Sequence, residues 1–214
     1  MGNSVAKSAL GVGISLSLYL LSICLASASL GSWADVERQV AGKYPTISRP
    51  ALERAFEYLN EHSDEILNQN YLTVIDFDLP STAERMYVID LKNITVNTYL
   101  VAHGKDSGDL YATEFSNVIN SNKSSLGIYW TGNEYIGEHG LSMVLQGKEE
   151  TNNNAEARVI VLHGADYVSY DFIKQTGRLG RSLGCTAVSL QYSSDLVKKL
   201  EGGSVFYVHH SRTE

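Results

Sequence analysis

"VLHGADYVSYDFIKQTGRLGRSLGCTAV", residues 161–188, changes character three times within one short stretch. Its first residues complete the run "ARVIVLHG", a continuous apolar segment of strand length that stops at His163-Gly164. "YVSYDFIKQTG" then reads as a short helix closed by Gly177. "GRLGRSLGC" follows, a turn that sets Cys185 among glycines, arginines and serines. His163 therefore stands at the end of a buried strand and Cys185 in a glycine-flanked loop, where a fold could bring them together. Four roles are open to such a cysteine: apolar filler, half of a disulfide, metal ligand or nucleophile.

The N-terminus narrows the choice. "MGNSVAK" carries one basic residue, Lys7, and Ser8 to Ser29 contain no charge. A basic start, an apolar middle and the small residues Ala26-Ser27-Ala28 outline a secretory signal over residues 1–28. Cys24 lies inside it, and Ile23 before it is too large for a lipoprotein site. An uncleaved anchor is the alternative, since about 20 apolar residues span a bilayer. Both place the remaining chain in the periplasm or outside the cell. After cleavage Cys185 has no partner in the chain, which excludes an intramolecular disulfide. No Cys-x-x-Cys or His-x-x-x-His spacing suggests a metal, and no cofactor is expected.

Composition sets further bounds. The net charge of −7 becomes one unit more acidic when Lys7 leaves, which argues against nucleic-acid partners. Thirteen tyrosines against three prolines suit strands and argue against a disordered stalk. "ISRPALERAFEYLNEHSDEIL" predicts a helix with Ser48 as cap, Pro50 in the first turn, and Leu52, Phe56 and Leu59 on one face. It belongs to an N-terminal helical extension, residues 29–69. "YLTVIDFDL" alternates as a strand, and "RMYVIDLKNITVNTYLVAHG" predicts two strands joined near Lys92-Asn93. The polar region 104–157 is interrupted by "SSLGIYWTG" and "LSMVLQG", read as short strands among loops. "SSDLVKKLEGG" predicts a second short helix and "SVFYVHH" a last strand. The sum is a mainly β (α+β) domain over residues 70–210, monomeric, with membrane contact only through an uncleaved N-terminal segment.

A thiolate is the reactive form of cysteine, and an imidazole in reach can take its proton and return one to a leaving amine. Gly184 would let backbone N–H groups near Cys185 face a developing oxyanion. An inert thiol and a hydrogen-bonded strand-end histidine would leave the same pattern.

The ordered motifs carry a resemblance. The strand ending in His163-Gly164 and the Ser-x-Gly-Cys of residues 182–185 resemble the active-site segment of the murein L,D-transpeptidase catalytic domain family. "VAHGKDSG", "SNKSSLGIYWTG" and "GEHGLSMVLQG" are similar to its upstream strand and loop motifs, so the likeness covers roughly residues 70–209. It implies a β-sandwich-like fold and an exported enzyme acting on peptidoglycan stem peptides. Cys185 matches the nucleophile, His163 its base, and Gly164 the neighbour whose carbonyl orients the imidazole. Ser182 matches the motif serine that shapes the turn, and Gly184 with Cys185 the oxyanion donors. The implied reaction is acyl transfer from the L,D bond of a tetrapeptide stem through a thioester to an amine, with L,D-carboxypeptidase activity as the hydrolytic alternative. Carbapenems are the inhibitors it suggests.

Two positions depart from the family pattern. Leu183 stands where many members carry a basic or aromatic residue, and Ala187 where many carry arginine. Arg178 and Arg181 are the candidates to bind the stem carboxylate instead, unless they pair with acids such as Asp166 and Asp171; Lys105 and Lys123 come next. His103 and His139, each in a His-Gly loop, are expected to line the groove, and His209 and His210 to lie at the surface. A sortase-like or papain-like peptidase lacks its motif order here. A non-catalytic wall-binding domain is the rival of another class.

Overall fold

The computed structural model describes residues 1, 2 and 32–213, so the signal expected over residues 1–28 lies outside the described residues apart from its first two. No helix among the described residues is long and apolar enough to cross a membrane. The chain runs α1 (Trp33–Lys43), α2 (Arg49–Glu61), β1 (Tyr71–Asp76), β2 (Met86–Asp90), β3 (Thr95–Tyr99) and β4 (Val101–Ala102), then β5 (Gly127–Gly137), β6 (Gly140–Gly147) and β7 (Val161–Ala165). It ends with α3 (Tyr170–Thr176), β8 (Thr186–Ser189), α4 (Leu190–Leu200) and β9 (Val205–His209).

The nine strands among the described residues form one mixed sheet in the order β3-β2-β1-β9-β5-β6-β7-β8-β4. Its two edges, β3 and β4, are successive pieces of one chain segment separated only by Leu100, so the sheet curls almost into a barrel. The facing layers expected of a sandwich are opposite walls of this single curled sheet. Alternation along the strands supplies three cores. Met86, Tyr129, Met143, Leu162, Val188 and Phe206 fill one face with α4 beside them. Leu52, Phe56 and Leu59 of α2 cover Leu72, Val74 and Val205 on the other. A smaller cluster of Leu100, Ala102, Ala165, Leu179 and Ala187 lies under the crossover after β7.

Several elements differ from the sequence expectation, for identifiable reasons. Helix α1 had no signal in the apolar spacing, because only Val36 and Val40 are buried. Ser48 occupies the cap position of α2 without a side-chain capping bond. Residues 133–139, polar and read as loop, extend β5 into a long hairpin with β6 because inter-strand backbone bonds continue through a register shift between Thr131 and Glu134. The strand expected over "ARVIVLHG" starts only at Val161, since residues 154–160 form a tight turn. Strand β8 was hidden in the glycine motif; four residues give too short a pattern to read.

His209 and His210 are not surface residues. They are 1% and 5% exposed, and Asp78 approaches both rings, with His209 Nε2 at 3.6 Å and His210 Nε2 at 3.5 Å. The pairing of β1 with β9 puts Asp76 opposite His209 and draws the strand end inward.

The shared core of α2 and the sheet has a direct check. Phe56 is 2% exposed, and Phe56→Ala is expected to cost about 3–5 kcal/mol, measured by urea unfolding. A loss below about 1 kcal/mol would mean that the helices stand apart from the sheet.

Candidate active site

Strands β7 and β8 run parallel, with Leu162 opposite Thr186, His163 opposite Ala187 and Gly164 opposite Val188. Continuing this register by one residue sets Cys185 beside Val161. Cys185 immediately precedes β8, so this pairing brings it to the Val161 end of β7, two residues from His163. Ala187 lies between them, fully buried among Leu100, Ala102 and Leu179. A long basic side chain has no path to solvent there, which accounts for the missing arginine.

His163 is 2% exposed and its Nδ1 lies 3.0 Å from the Gly164 carbonyl. A carbonyl only accepts, so Nδ1 carries the proton and Nε2 presents its lone pair. Gly164 also lets α4 pack directly on the strand: a Cβ there would meet Ser193 Oγ at 2.6 Å and Leu190 at 3.0 Å. Above the imidazole stacks His139, from the tip of the β5–β6 hairpin, with centroids 4.2 Å apart and planes 21° from parallel. Burial pushes the proton affinity of His163 down; His139 pushes the same way and the Gly164 carbonyl opposes both.

Cys185 is half-buried, and its Sγ donates to the Val159 carbonyl at 3.4 Å. Burial pushes the thiol pKa up, against the Val161 backbone N–H and the positive charge of Arg158. Ser182 closes the turn before it: its Oγ donates to the Cys185 carbonyl at 2.6 Å and accepts the Gly184 N–H at 3.1 Å. Gly184 has φ 123°, closed to other residues. Because its N–H is engaged by Ser182, Gly184 is not poised as an oxyanion donor in this conformation. Tyr167, unremarked in the sequence, packs its ring on Gly180, where a Cβ would lie 2.4 Å from it. Its phenol is pushed up to about 12 by burial and then by Cys185.

The arginine candidates are engaged elsewhere. Arg178 Nε meets Asp109 at 2.5 Å and Arg181 NH1 meets the same carboxylate at 3.3 Å, while Arg181 also donates to the Gly108 carbonyl at 3.0 Å. Their acid is Asp109, in a loop remote in sequence, rather than Asp166 or Asp171. Lys123 pairs with Glu114 at 3.3 Å, and Lys105 is exposed.

His103 does not line the groove. It is fully buried, and its Nδ1 accepts from Arg85 NH2 at 2.8 Å. Arg85, equally buried, also donates to the carbonyls of Leu79 and Val101 and lies 4.7 Å over the Phe77 ring. Burial followed by the charge of Arg85 lowers the His103 pKa to about 4.

The donor cluster best suited to a metal among the described residues is Asp76, Asp78 and His209, whose ligand atoms lie within 4.8 Å of one another. Asp78 already accepts the Ser211 N–H and Oγ–H and faces His210, which marks the cluster as a clamp on the last strand.

A family model described as the L,D-transpeptidase catalytic domain matches residues 43–209. The chain belongs to this L,D-transpeptidase family. The match takes in α2 as well as the sheet. No curated protein sequence matches the chain. Among solved structures, an L,D-transpeptidase from Mycobacterium smegmatis is 12% identical, with TM-score 0.41, over 66% of this chain and 59% of that one. The helical cell shape determining protein from Campylobacter jejuni is 12% identical, TM-score 0.40, over 73% and 54%. An L,D-transpeptidase from Stackebrandtia nassauensis is 12% identical, TM-score 0.39, over 84% and 91%. The chain thus spans 59% of the length of the first of these.

Two titrations follow for this L,D-transpeptidase-family chain. His103 binds its proton near pH 4 when folded and near 6.5 when unfolded. Between those values the unfolded chain holds more protons, so stability is lost as pH falls from 6.5 toward 4, on the order of 3 kcal/mol in all. His103→Gln, which keeps an acceptor for Arg85, is expected to flatten that loss in melts recorded across the range. His139→Ala removes two influences that depress His163, the stacked ring and its shielding. The His163 imidazole is expected to titrate at higher pH in the variant, read by NMR; an unchanged titration would leave the stack without electrostatic consequence.

Proposed function

We propose that the chain is an exported peptidoglycan L,D-transpeptidase with Cys185 as nucleophile and His163 as base. The observation that supports this reading is the β7–β8 register, which brings Cys185 to the end of β7 two residues from His163, while the Gly164 carbonyl holds the Nδ1–H tautomer. Rotation of Sγ away from Val159 brings the thiol toward Nε2. The thiol proton passes to Nε2 as sulfur attacks the carbonyl of the L-centred third stem residue. The C–N bond to terminal D-alanine breaks, its amine takes the proton from His163, and a thioester remains. An amine of a second stem then attacks the thioester, yielding its proton to His163 and expelling the thiolate. Water in place of that amine gives the L,D-carboxypeptidase outcome from the same intermediate.

Ser182 supports the nucleophile by holding the turn, and Leu183, 66% exposed, stands at the rim with Val159. Arg178 and Arg181 brace the turn through Asp109 and the carbonyls of Lys105 and Gly108. With that acid shared between them, they can meet a stem carboxylate only by exchanging partners. The N-terminal segment would deliver the domain across the membrane to its polymeric substrate.

Incubation with disaccharide-tetrapeptide muropeptides and mass spectrometry tests the reading. Loss of D-alanine with a crosslinked dimer is expected from the wild type; loss without dimer supports hydrolysis, and no change supports a wall-binding domain. Cys185→Ala is expected to abolish turnover and carbapenem labelling. His163→Ala is expected to slow acylation by about 10²- to 10⁴-fold; equal rates would remove His163 from the chemistry.

A further inference from the structure

The charged side chain acting on the thiol is not one that the motif advertises. Arg158 lies in the turn before β7, where Arg158 N–H donates to Asn154 O at 2.9 Å, Val159 N–H to Glu156 O at 3.0 Å and Ile160 N–H to Ala155 O at 2.9 Å. Val159 closes this turn at φ 54°, a costly conformation for a β-branched residue that persists only where its surroundings impose it. Two consequences meet at Cys185. The Val159 carbonyl faces Sγ at 3.4 Å, and the Arg158 guanidinium lies against the Gly184 backbone, its NH2 3.1 Å from where a Cβ on Gly184 would sit.

The bonding of Arg158 is unusual for a half-buried cation. NH1 donates to Ser116 O at 2.6 Å and Ser125 Oγ at 3.1 Å; NH2 donates to Lys123 O at 2.5 Å and Ser121 Oγ at 3.3 Å. Every acceptor is neutral. Among the described residues no carboxylate contributes to its environment, whereas Arg178 and Arg181 share Asp109. A partly desolvated charge without a counter-ion is costly. With NH1 and NH2 each spent twice, Arg158 has no free fork with which to grip a substrate carboxylate. Of the two ionisable groups that act on Arg158, Tyr129 is held neutral by its own burial, which leaves a fixed positive charge beside the Cys185 thiol.

We propose that Arg158 is a positioning residue that acts through Cys185: its guanidinium, fastened to the 116–125 loop with no acid beside it, is the counter-charge of the Cys185 thiolate. The inference rests on the reading of Cys185 as nucleophile. It explains how a half-buried thiol gives up its proton to a buried imidazole. Burial opposes that transfer, and Arg158 and the Val161 N–H offset it; reciprocally, burial lowers the pKa of Arg158 while Tyr129 and Cys185 raise it. The other groups facing the thiol carry no charge near neutral pH: Tyr167 is pushed up to about 12, and His163 is kept neutral by burial and His139.

The test is the pH dependence of alkylation by iodoacetamide, between about pH 5 and 10 around the ordinary thiol value. Sulfur displaces iodide, the thiol proton goes to solvent, and peptide mass spectrometry separates Cys185 from Cys24. Arg158→Gln is expected to move the inflection upward and slow alkylation at neutral pH by about tenfold, with the alkaline plateau unchanged. Arg158→Lys should recover most of the loss. Ser121→Asp sets an acid against NH2 while leaving the arginine in place, and is expected to slow alkylation in the same direction even where Arg158→Gln fails to fold. A wild-type inflection in Arg158→Gln, or in Ser121→Asp, overturns the proposal. Muropeptide turnover reports separately: a shifted thiol in a protein that never releases D-alanine overturns the transpeptidase reading and leaves the counter-charge standing.

Discussion

The parallel pairing of β7 with β8 is the constraint on which the site depends. Parallel neighbours cannot be joined by a tight turn; the chain must leave the sheet after Ala165, cross through α3 and return at Thr186. Everything the motif contains serves that crossover. Ser169 caps α3 by accepting the Phe172 N–H, Gly177 ends it at φ 81°, Gly180 admits the Tyr167 ring, and Ser182 folds the last turn onto Cys185. A slip of one residue in this register would turn either His163 or Cys185 to the opposite face.

Around that pair the protein holds its cations in three different ways. Arg85 is fully buried and satisfied by carbonyls and a neutral histidine, with its pKa lowered to about 9 by burial against the opposing charge of Asp76. Arg178 and Arg181 share one exposed aspartate and brace the loop before Cys185. Arg158 is saturated with neutral acceptors and lies against the Gly184 turn. Only the last leaves its charge unanswered where a thiolate would form. The acidic balance of the whole chain therefore says little about the local field at Cys185.

His163 is shielded as well as positioned. His163 has the sheet beneath it, the Ser193 and Leu190 end of α4 close to Gly164, and His139 stacked above. The hairpin that delivers His139 is exposed at its tip, so the cover over the imidazole is a surface element whereas its support is core. Any group reaching that face of the imidazole must accommodate or displace the His139 ring, so access to His163 is coupled to its proton affinity.

The sequence by itself determined the mainly β class and the family, because these rest on local signals: an apolar run that stops at a histidine, glycines that force turns, and an ordered set of short motifs. Its reading of His163, Cys185 and Ser182 as one site is a proposal, supported by the β7–β8 pairing and by the bonds of Ser182 to Gly184 and Cys185. Tertiary structure decided what depends on residues distant in the chain. His103 and His139 sit in similar His-Gly stretches, yet one is sealed beside Arg85 and the other stacks on His163. His209 and His210 look like a polar chain end, but parallel pairing of β1 with β9 carries Asp78 to them and buries both. Arg178 and Arg181 met Asp109, and Arg158 reached the Gly184 backbone, through contacts that no spacing announces. Local pattern reports the conformation a segment prefers and the face it buries; which charge answers which is settled only when the sheet closes and brings loops from opposite ends of the chain together.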